Sequence, residues 1–343
     1  SRVAGQAPSA GSGAAWFGKK AQGDLTVFFP LDNLVAIGGG AQSVGDGQDL
    51  YGFQGTLGVS FPDVEVHELT DPFIILWRRF RINSGGAGFH RGGMALDQAY
   101  MLYDADEFTG SIFMAATELP AKGFGGGYPG GASRTAIIRS SNAWNLINKG
   151  MLPSSPESIE GLLDVLPAKA SNVPLNRNDV YWATSSGGGG LGDPFLRDPK
   201  TVQKDITDGK ISIPAAEKLY GATVVVEGST TFVDSESTWA NRERIRSIVA
   251  PKKTRLLKEI ADKAGGISVT LKNNLWKCGL CEEDLGPFTG NWKATLNTIK
   301  TPIAQTFKES ETEIRERENE PVILSFRYCP HCGSCLSTEI DVA

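Results

Sequence analysis

Alternation of apolar and polar positions marks short strands in the first 140 residues: Leu25-Thr-Val-Phe-Phe29, Phe73 to Phe80, Ala99-Tyr-Met-Leu-Tyr103 and Ser111-Ile-Phe-Met-Ala115, separated by glycine turns. Asp179-Val-Tyr-Trp-Ala-Thr-Ser-Ser186 alternates in the same way and runs straight into four consecutive glycines. Between these strands, Ser154 and Glu157 have the spacing of a capping box, which predicts a helix that ends near Leu166-Pro167, with Pro153 and Pro156 punctuating its start. Beyond the glycines, Asp198 as N-cap and Pro199 at the first helical position open a helix that Gly209 stops after Asp208. A second helix, Pro214 to Leu219, is stopped by Gly221, and the strand Thr223-Val-Val-Val226 follows. Residues 238 to 264 read as a charged helical stretch, interrupted at Pro251 and closed by Gly265-Gly266. The pattern predicts an α+β chain. We divide it into a small, polar, loose arm at 1–13, a β-rich domain with peripheral helices at 14–245, a helical connector at 246–266 and a cysteine-bearing module at 267–343.

Glycine changes this picture most. The chain has 41 glycines in 343 residues, well above the average of roughly 7%, while its apolar fraction is ordinary, which favours many tight turns over disorder. Two blocks stand out: Ser84-Gly-Gly-Ala-Gly-Phe-His-Arg-Gly-Gly93, after Phe73-Ile-Ile-Leu-Trp77 and the basic Arg78-Arg79-Phe80-Arg81, and Ser186-Gly-Gly-Gly-Gly-Leu-Gly-Asp-Pro194. The spacing Gly187-x-Gly189-x-x-Gly192 formally spells a dinucleotide fingerprint, but Asp193-Pro194 separates it from the helix, so that reading is rejected. No Gly-Lys-Ser/Thr follows, which excludes a P-loop. Two readings remain: bare amides that hold an anion, with Gly85, Gly86, Gly188 and Gly189 as candidates, or a tight structural crossing. Gly86 and Gly188 are expected at positive φ, where a branched side chain is not tolerated.

The chain has only three histidines. His90 lies inside the first glycine block beside Arg91, and a cation flanked by bare amides suits a phosphate or carboxylate. Asp193 and Arg197 flank the second block, where they either pair with each other or cap the next helix. His90, Arg91 and Asp193 are the catalytic candidates, with a plain loop role as the alternative for each. His67 stands with Glu65 and Glu68, but alternation sets it on the opposite face from at least one of them, which argues against a metal there. A net charge of -5 argues against a nucleic-acid surface, and small-molecule or protein partners fit better. There is no apolar run long enough to cross a membrane and no signal sequence, so a cytoplasmic chain is expected, its opening serine indicating a processed or trimmed start.

All five cysteines lie beyond residue 277: Cys278-Gly-Leu-Cys281, Cys329-Pro-His-Cys332 and Cys335. Two Cys-x-x-Cys knuckles each place two thiolates on a tight turn, and four thiolates close a structural zinc site with no open position. Cys278, Cys281, Cys329 and Cys332 are the expected ligands, with Cys335 or His331 as substitutes for Cys332. A disulfide, a redox pair and a nucleic-acid-binding ribbon are the alternatives. A reducing compartment argues against a disulfide, and the Glu-rich run from Glu309 to Glu320 is a poor phosphate surface.

Asp46-Gly47, the Glu65-x-x-Glu68-x-x-x-Pro72 spacing, the two glycine blocks and Tyr220-Gly221 together resemble the hydantoinase B/oxoprolinase family over about residues 10 to 245, and look like the carboxy-terminal half of a member. The tail, with Leu285-Gly-Pro-Phe-Thr-Gly-Asn-Trp292, Tyr328-Cys-Pro-x-Cys-Gly333 and Leu336-Ser-Thr-Glu-Ile-Asp341, is similar to the small zinc-binding subunit of acetone and acetophenone carboxylases. The resemblance implies a subunit of a hetero-oligomeric, ATP-dependent ketone carboxylase that works through a phosphorylated enol. An actin-like, hydantoinase A-like subunit would carry ATP and Mg, and another chain would supply the amino-terminal half with a second, catalytic metal. The subunit is then inactive alone, and its partner is expected to dock on Leu25 to Phe29 and Phe73 to Phe80. The alternatives are ATP-dependent opening of a lactam, hydantoin or 5-oxoproline, and a non-catalytic scaffold.

Overall fold

The computed structural model describes residues 5, 12–29, 36–53, 56–57, 63–228, 230–264, 268–309, 311–312, 314–316 and 320–342. Most of the arm expected at 1–13, and the Gly265-Gly266 closure, lie outside the described residues. In chain order come strands β1 (Ser12–Lys19) and β2 (Leu25–Phe28), a short hairpin β3 (Gly52–Phe53) and β4 (Thr56–Leu57), helix α1 (Val64–Thr70), and strands β5 (Phe73–Arg81), β6 (Ala95–Leu102), β7 (Glu107–Met114) and β8 (Arg134–Arg139). Helix α2 (Ala143–Asn148) precedes β9 (Leu162–Val165), β10 (Lys169–Asn176) and β11 (Val180–Thr184).

The strands pair antiparallel into a four-stranded sheet, β10-β7-β1-β2, and a five-stranded sheet, β5-β6-β11-β8-β9. Trp16, Phe28, Phe108 and Ile112 of the first face Phe73, Tyr100, Ile137 and Tyr181 of the second in one buried cluster. The sandwich follows from period-2 burial, in which alternate side chains enter the shared core. Trp16 Nε1 donates to Tyr100 Oη at 2.8 Å, which satisfies the one polar edge of a fully buried indole. The five-stranded sheet is apolar on its other face too, where Leu76, Trp77, Met101 and Val180 pack beneath α2.

Two local expectations change. The Ser154/Glu157 helix does not form: Ser155 opens a single 3-10 turn, Pro156–Ser158, and the chain then runs extended as β9 against β8. The two prolines stop the first turn from propagating, and the apolar pair Leu162-Leu163 completes a sheet edge instead. Residues 64–70, read as alternating, are the helix α1, with Asp63 as its N-cap.

Helices α3 (Pro199–Thr207) and α4 (Ile213–Tyr220) then form as their caps dictate. Asp198 accepts from Lys200 N, Ser212 from Ala215 N, and Gly221 ends α4 in the left-handed region at φ 60°. After the hairpin β12 (Val224–Glu227) and β13 (Thr230–Val233) comes α5 (Ser235–Val249), which buries Thr238, Arg242 and Arg246 on one face. With arginines turned inward beside Trp239, Ile245 and Val249, the buried face is not a plain apolar stripe, which is why this stretch reads in the sequence only as a charged helix. Helix α6 (Leu257–Ile260) leads into the tail: β14 (Val269–Lys272), β15 (Leu275–Cys278) and β16 (Asp284–Pro287) form one small sheet. β17 (Asn297–Pro302), helix α7 (Ile303–Glu309), β18 (Val322–Tyr328) and β19 (Cys335–Val342) complete the chain, with the three strands in a second sheet. Among the described residues no helix is long and apolar enough to cross a membrane.

Candidate metal centre and the glycine core it closes

The glycine blocks converge at one end of the sandwich. Gly86 N donates to Gly188 O at 2.8 Å, Gly188 N to Gly93 O at 3.1 Å, Gly93 N to Gly39 O at 2.7 Å, Gly187 N to Gly131 O at 3.0 Å and Gly131 N to Ser84 O at 2.7 Å. Segments from four parts of the chain thus satisfy one another's backbone groups inside the protein. A Cβ on Gly188 would run into Gly39 O, and one on Gly86 into Tyr128 O. Neither residue lies at positive φ, contrary to the expectation from sequence; close approach of neighbouring backbones is what requires glycine here. The amides of Gly86 and Gly188 are consumed by carbonyls. Gly85 and Gly189 are buried as well, with a Cβ meeting Gly92 O and Lys122 O. The geometry is that of a crossing of chains.

Around this core lies a network of ion pairs. Arg197 gives both terminal nitrogens to Asp46, at 2.8 and 2.7 Å, its Nε and Nη2 to Asp205 at 3.0 and 2.7 Å, and Nη1 also to Phe89 O at 2.8 Å. Asp46 Oδ1 accepts in addition from Arg91 N at 2.7 Å. Burial pushes the Asp46 carboxyl up, but the Arg197 hydrogen bond and charge outweigh it and hold the group below its ordinary range; burial wins at Asp205, whose pKa is raised. The Arg91 side chain is 1% exposed and turns to Gly92 O at 2.5 Å and to Asp49 at 3.4 Å. Its guanidinium braces the loop and does not face solvent. His90 stands 3.9 Å from Asp46, with its pKa lowered by burial. Arg197 does not pair with Asp193, one of the two arrangements left open by the sequence; its partners are Asp46 and Asp205.

Asp193 has a different task. Its Oδ1 caps the 3-10 turn Pro194–Leu196 through Phe195 N at 2.9 Å and pairs with Arg246 Nη2 at 2.7 Å, while Oδ2 accepts from Cys335 N at 2.7 Å. Arg246 lies between the rings of Phe195 and Tyr328, 4.1 and 4.6 Å from their centroids. The last residues of the glycine block are thereby tied to α5 and to the tail. Asp193 is 1% exposed and is engaged by this cap and ion pair, the plain structural alternative to a catalytic role.

In the tail, Cys278, Cys281, Cys329 and Cys332 are buried and their ligand atoms lie within 4.8 Å of one another. Cys278 Sγ is 3.9 Å from Cys332 Sγ, and Cys281 Sγ is 3.8 Å from Cys329 Sγ. A tetrahedral site with Zn–S bonds of about 2.3 Å has S···S edges of about 3.8 Å. The donor set therefore fits that ion. Cys335 is outside the cluster: its thiol faces Ser337 O at 3.5 Å, with its pKa pushed up to about 12 by burial. His331 is also outside it; His331 O accepts from Thr254 N. None of the five cysteines forms a disulfide. His67 forms no comparable group among the described residues: Nδ1 is 3.1 Å from Asp71, and Glu68 accepts from Ile75 N at 2.7 Å.

The model of the family described as Hydantoinase B/oxoprolinase matches residues 2–194. The chain belongs to this family. As a hydantoinase B/oxoprolinase member it is 29% identical over 245 residues to the acetone carboxylase alpha subunit of Xanthobacter autotrophicus, a match that covers 66% of this chain and 30% of that one. It is 28% identical over 194 residues to the acetophenone carboxylase delta subunit of Aromatoleum aromaticum, covering 53% and 28%, and 29% identical over 210 residues to the caprolactamase subunit beta of Pseudomonas jessenii, covering 61% and 32%. The nucleotide-free structure of acetone carboxylase superposes with a TM-score of 0.61 at 26% identity over 71% of this chain and 34% of that one. The chain spans about a third of the length of these relatives. The family match ends at Pro194, so it takes in the glycine core and Asp193, while the four cysteines lie beyond it.

Proposed function

We propose that this chain is a subunit of a hetero-oligomeric, ATP-dependent ketone carboxylase of the acetone/acetophenone carboxylase type. The similarity to the acetone carboxylase alpha subunit over 66% of the chain carries the reading, with the solved carboxylase sharing its fold. In this account a hydantoinase A-like, actin-like partner binds ATP and Mg and phosphorylates the enol oxygen of the ketone. A further chain supplies the portion of the relatives that this one does not span, with the catalytic metal. Zinc bound by Cys278, Cys281, Cys329 and Cys332 is structural, because four thiolates leave no position for substrate. The module takes the place of the carboxylases' small zinc subunit. His90 and Arg91 keep the glycine loop in register, and we assign neither a chemical step.

The docking face is the outer side of the four-stranded sheet. Phe17, Leu25 and Val27 are 52, 82 and 64% exposed there, on paired strands β1 and β2, and β2 is the edge of the sheet among the described residues. Of Phe73 to Phe80, also expected to share in docking, Phe73 to Trp77 are enclosed between the two sheets and beneath α2, while Phe80 is 48% exposed. A second reading, ATP-dependent opening of a cyclic amide, rests on the caprolactamase match. Affinity purification of the tagged chain followed by mass spectrometry of what co-purifies tests the proposal. An ATPase subunit and a longer hydantoinase B-type chain are the expected partners. A soluble monomer, free of partners and active alone, would overturn it.

A further inference from the structure

A cavity of about 510 Å³ opens between the glycine-core loop Lys122–Gly125 and the cysteine module. Its size lies within the roughly 300–1,000 Å³ of small-molecule sites, and such sites favour junctions between structural units. Three aromatic side chains, Phe124, Trp276 and Trp292, line it, with Lys122, Lys293 and Glu339 as its charged groups. Lys293 pairs with Glu339 Oε1 and stands 5.7 Å from the centroid of Trp292; Arg327 Nη2 binds Glu339 Oε2 at 2.7 Å. Two cations therefore share one carboxylate, which leaves this corner with surplus positive charge. Trp276 Nε1 is a buried donor with no hydrogen-bond partner among the described residues, an arrangement that costs about 1–3 kcal/mol until an acceptor is supplied. Ser268 Oγ donates to Gly125 O at 3.1 Å and joins the two walls, so the cavity belongs to the packed junction and not to a loose crevice.

We infer that this cavity binds a small organic acid with a flat apolar body, such as an aryl or bicyclic carboxylate. The rings of Phe124, Trp276 and Trp292 take the flat body, and the lysine side takes the carboxylate. The binding is read on this chain alone, so its test stands or fails independently of the carboxylase reading.

Isothermal titration of the zinc-loaded full chain with 1-naphthylacetate, and with neutral 1-naphthylacetamide as control, decides the matter. The acid should saturate one site per chain and bind about fivefold more tightly than the amide, the worth of one partly exposed ion pair. Lys293→Met should abolish that preference, and Trp292→Leu should weaken the acid about tenfold, the scale of one lost aromatic contact. Zinc content and circular dichroism confirm that each variant is folded; if one loses its metal, the other carries the test. Heat that does not saturate, equal affinity for acid and amide, or wild-type affinity in folded Lys293→Met and Trp292→Leu chains would each overturn the inference.

Discussion

The glycine core and the cysteine module are stabilised by opposite means. In the core, segments from four parts of the chain lie backbone against backbone, and the absence of side chains is what allows the contact. In the module, two short sheets meet around four thiols, and those four side chains hold turns that are far apart in sequence. The core leaves no room for a side chain on glycines such as Gly188, whereas the module gathers four thiols that could hold a metal ion. The two regions meet at Asp193, which ends the glycine block and reaches both Arg246 and Cys335 N.

The sharpest way to break the comparison is to remove the ion. Chelation, or Cys329→Ser, should unfold residues 268–342, because structural zinc contributes on the order of 10 kcal/mol in small modules. Hydrogen exchange should show the tail losing protection while β5, β6 and β11 keep theirs. A metal-free tail that stays folded would mean that its sheets suffice alone.

The complementary attack is on the core. Gly188→Val should destabilise the chain by about 3 kcal/mol or more, since backbone rather than a movable side chain occupies the space. Gly45→Ala is the control: nothing lies near its Cβ position, so the change should stay within about 0.5 kcal/mol. Equal thermal shifts for the two would show that the core is looser than described.

Asp193→Asn tests the junction. It leaves Arg246 buried without its carboxylate and should cost about 3 kcal/mol. Combined with Cys329→Ser, its effect should be less than additive, because part of what it supports is already lost. The smallest effect concerns His90. Burial lowers its folded pKa beneath the unfolded value of about 6.5, so the stability it contributes is present above that pH and is lost as pH falls through the folded pKa. In denaturant titrations across this window, His90→Gln should flatten the slope of stability against pH.

These regions also differ in how much of them is legible in sequence. The cysteine spacing marks its ligands directly, since a knuckle is a local structure and two of them complete a tetrahedron. The cap at Asp198, and alternation at Phe73 and Val180, locate a helix and strands for the same local reason. The glycine core is different: Gly188 meets Gly39 and Gly93 through contacts about 95 to 150 residues apart in sequence, and no local pattern separates such a crossing from an anion loop. Helix α5 is obscured for another reason. Arg242 donates to Tyr220 O and Arg197 O, both at 2.8 Å, so a residue type that normally signals solvent lies inside.

The carboxylase account is tested most directly by ATP turnover in the complex purified on this chain. Phosphate release should rise when a ketone and bicarbonate are added together, with the carboxylated acid as product, and should disappear when the complex is rebuilt without this chain. Turnover that responds to caprolactam or hydantoin but not to a ketone with bicarbonate would contradict it.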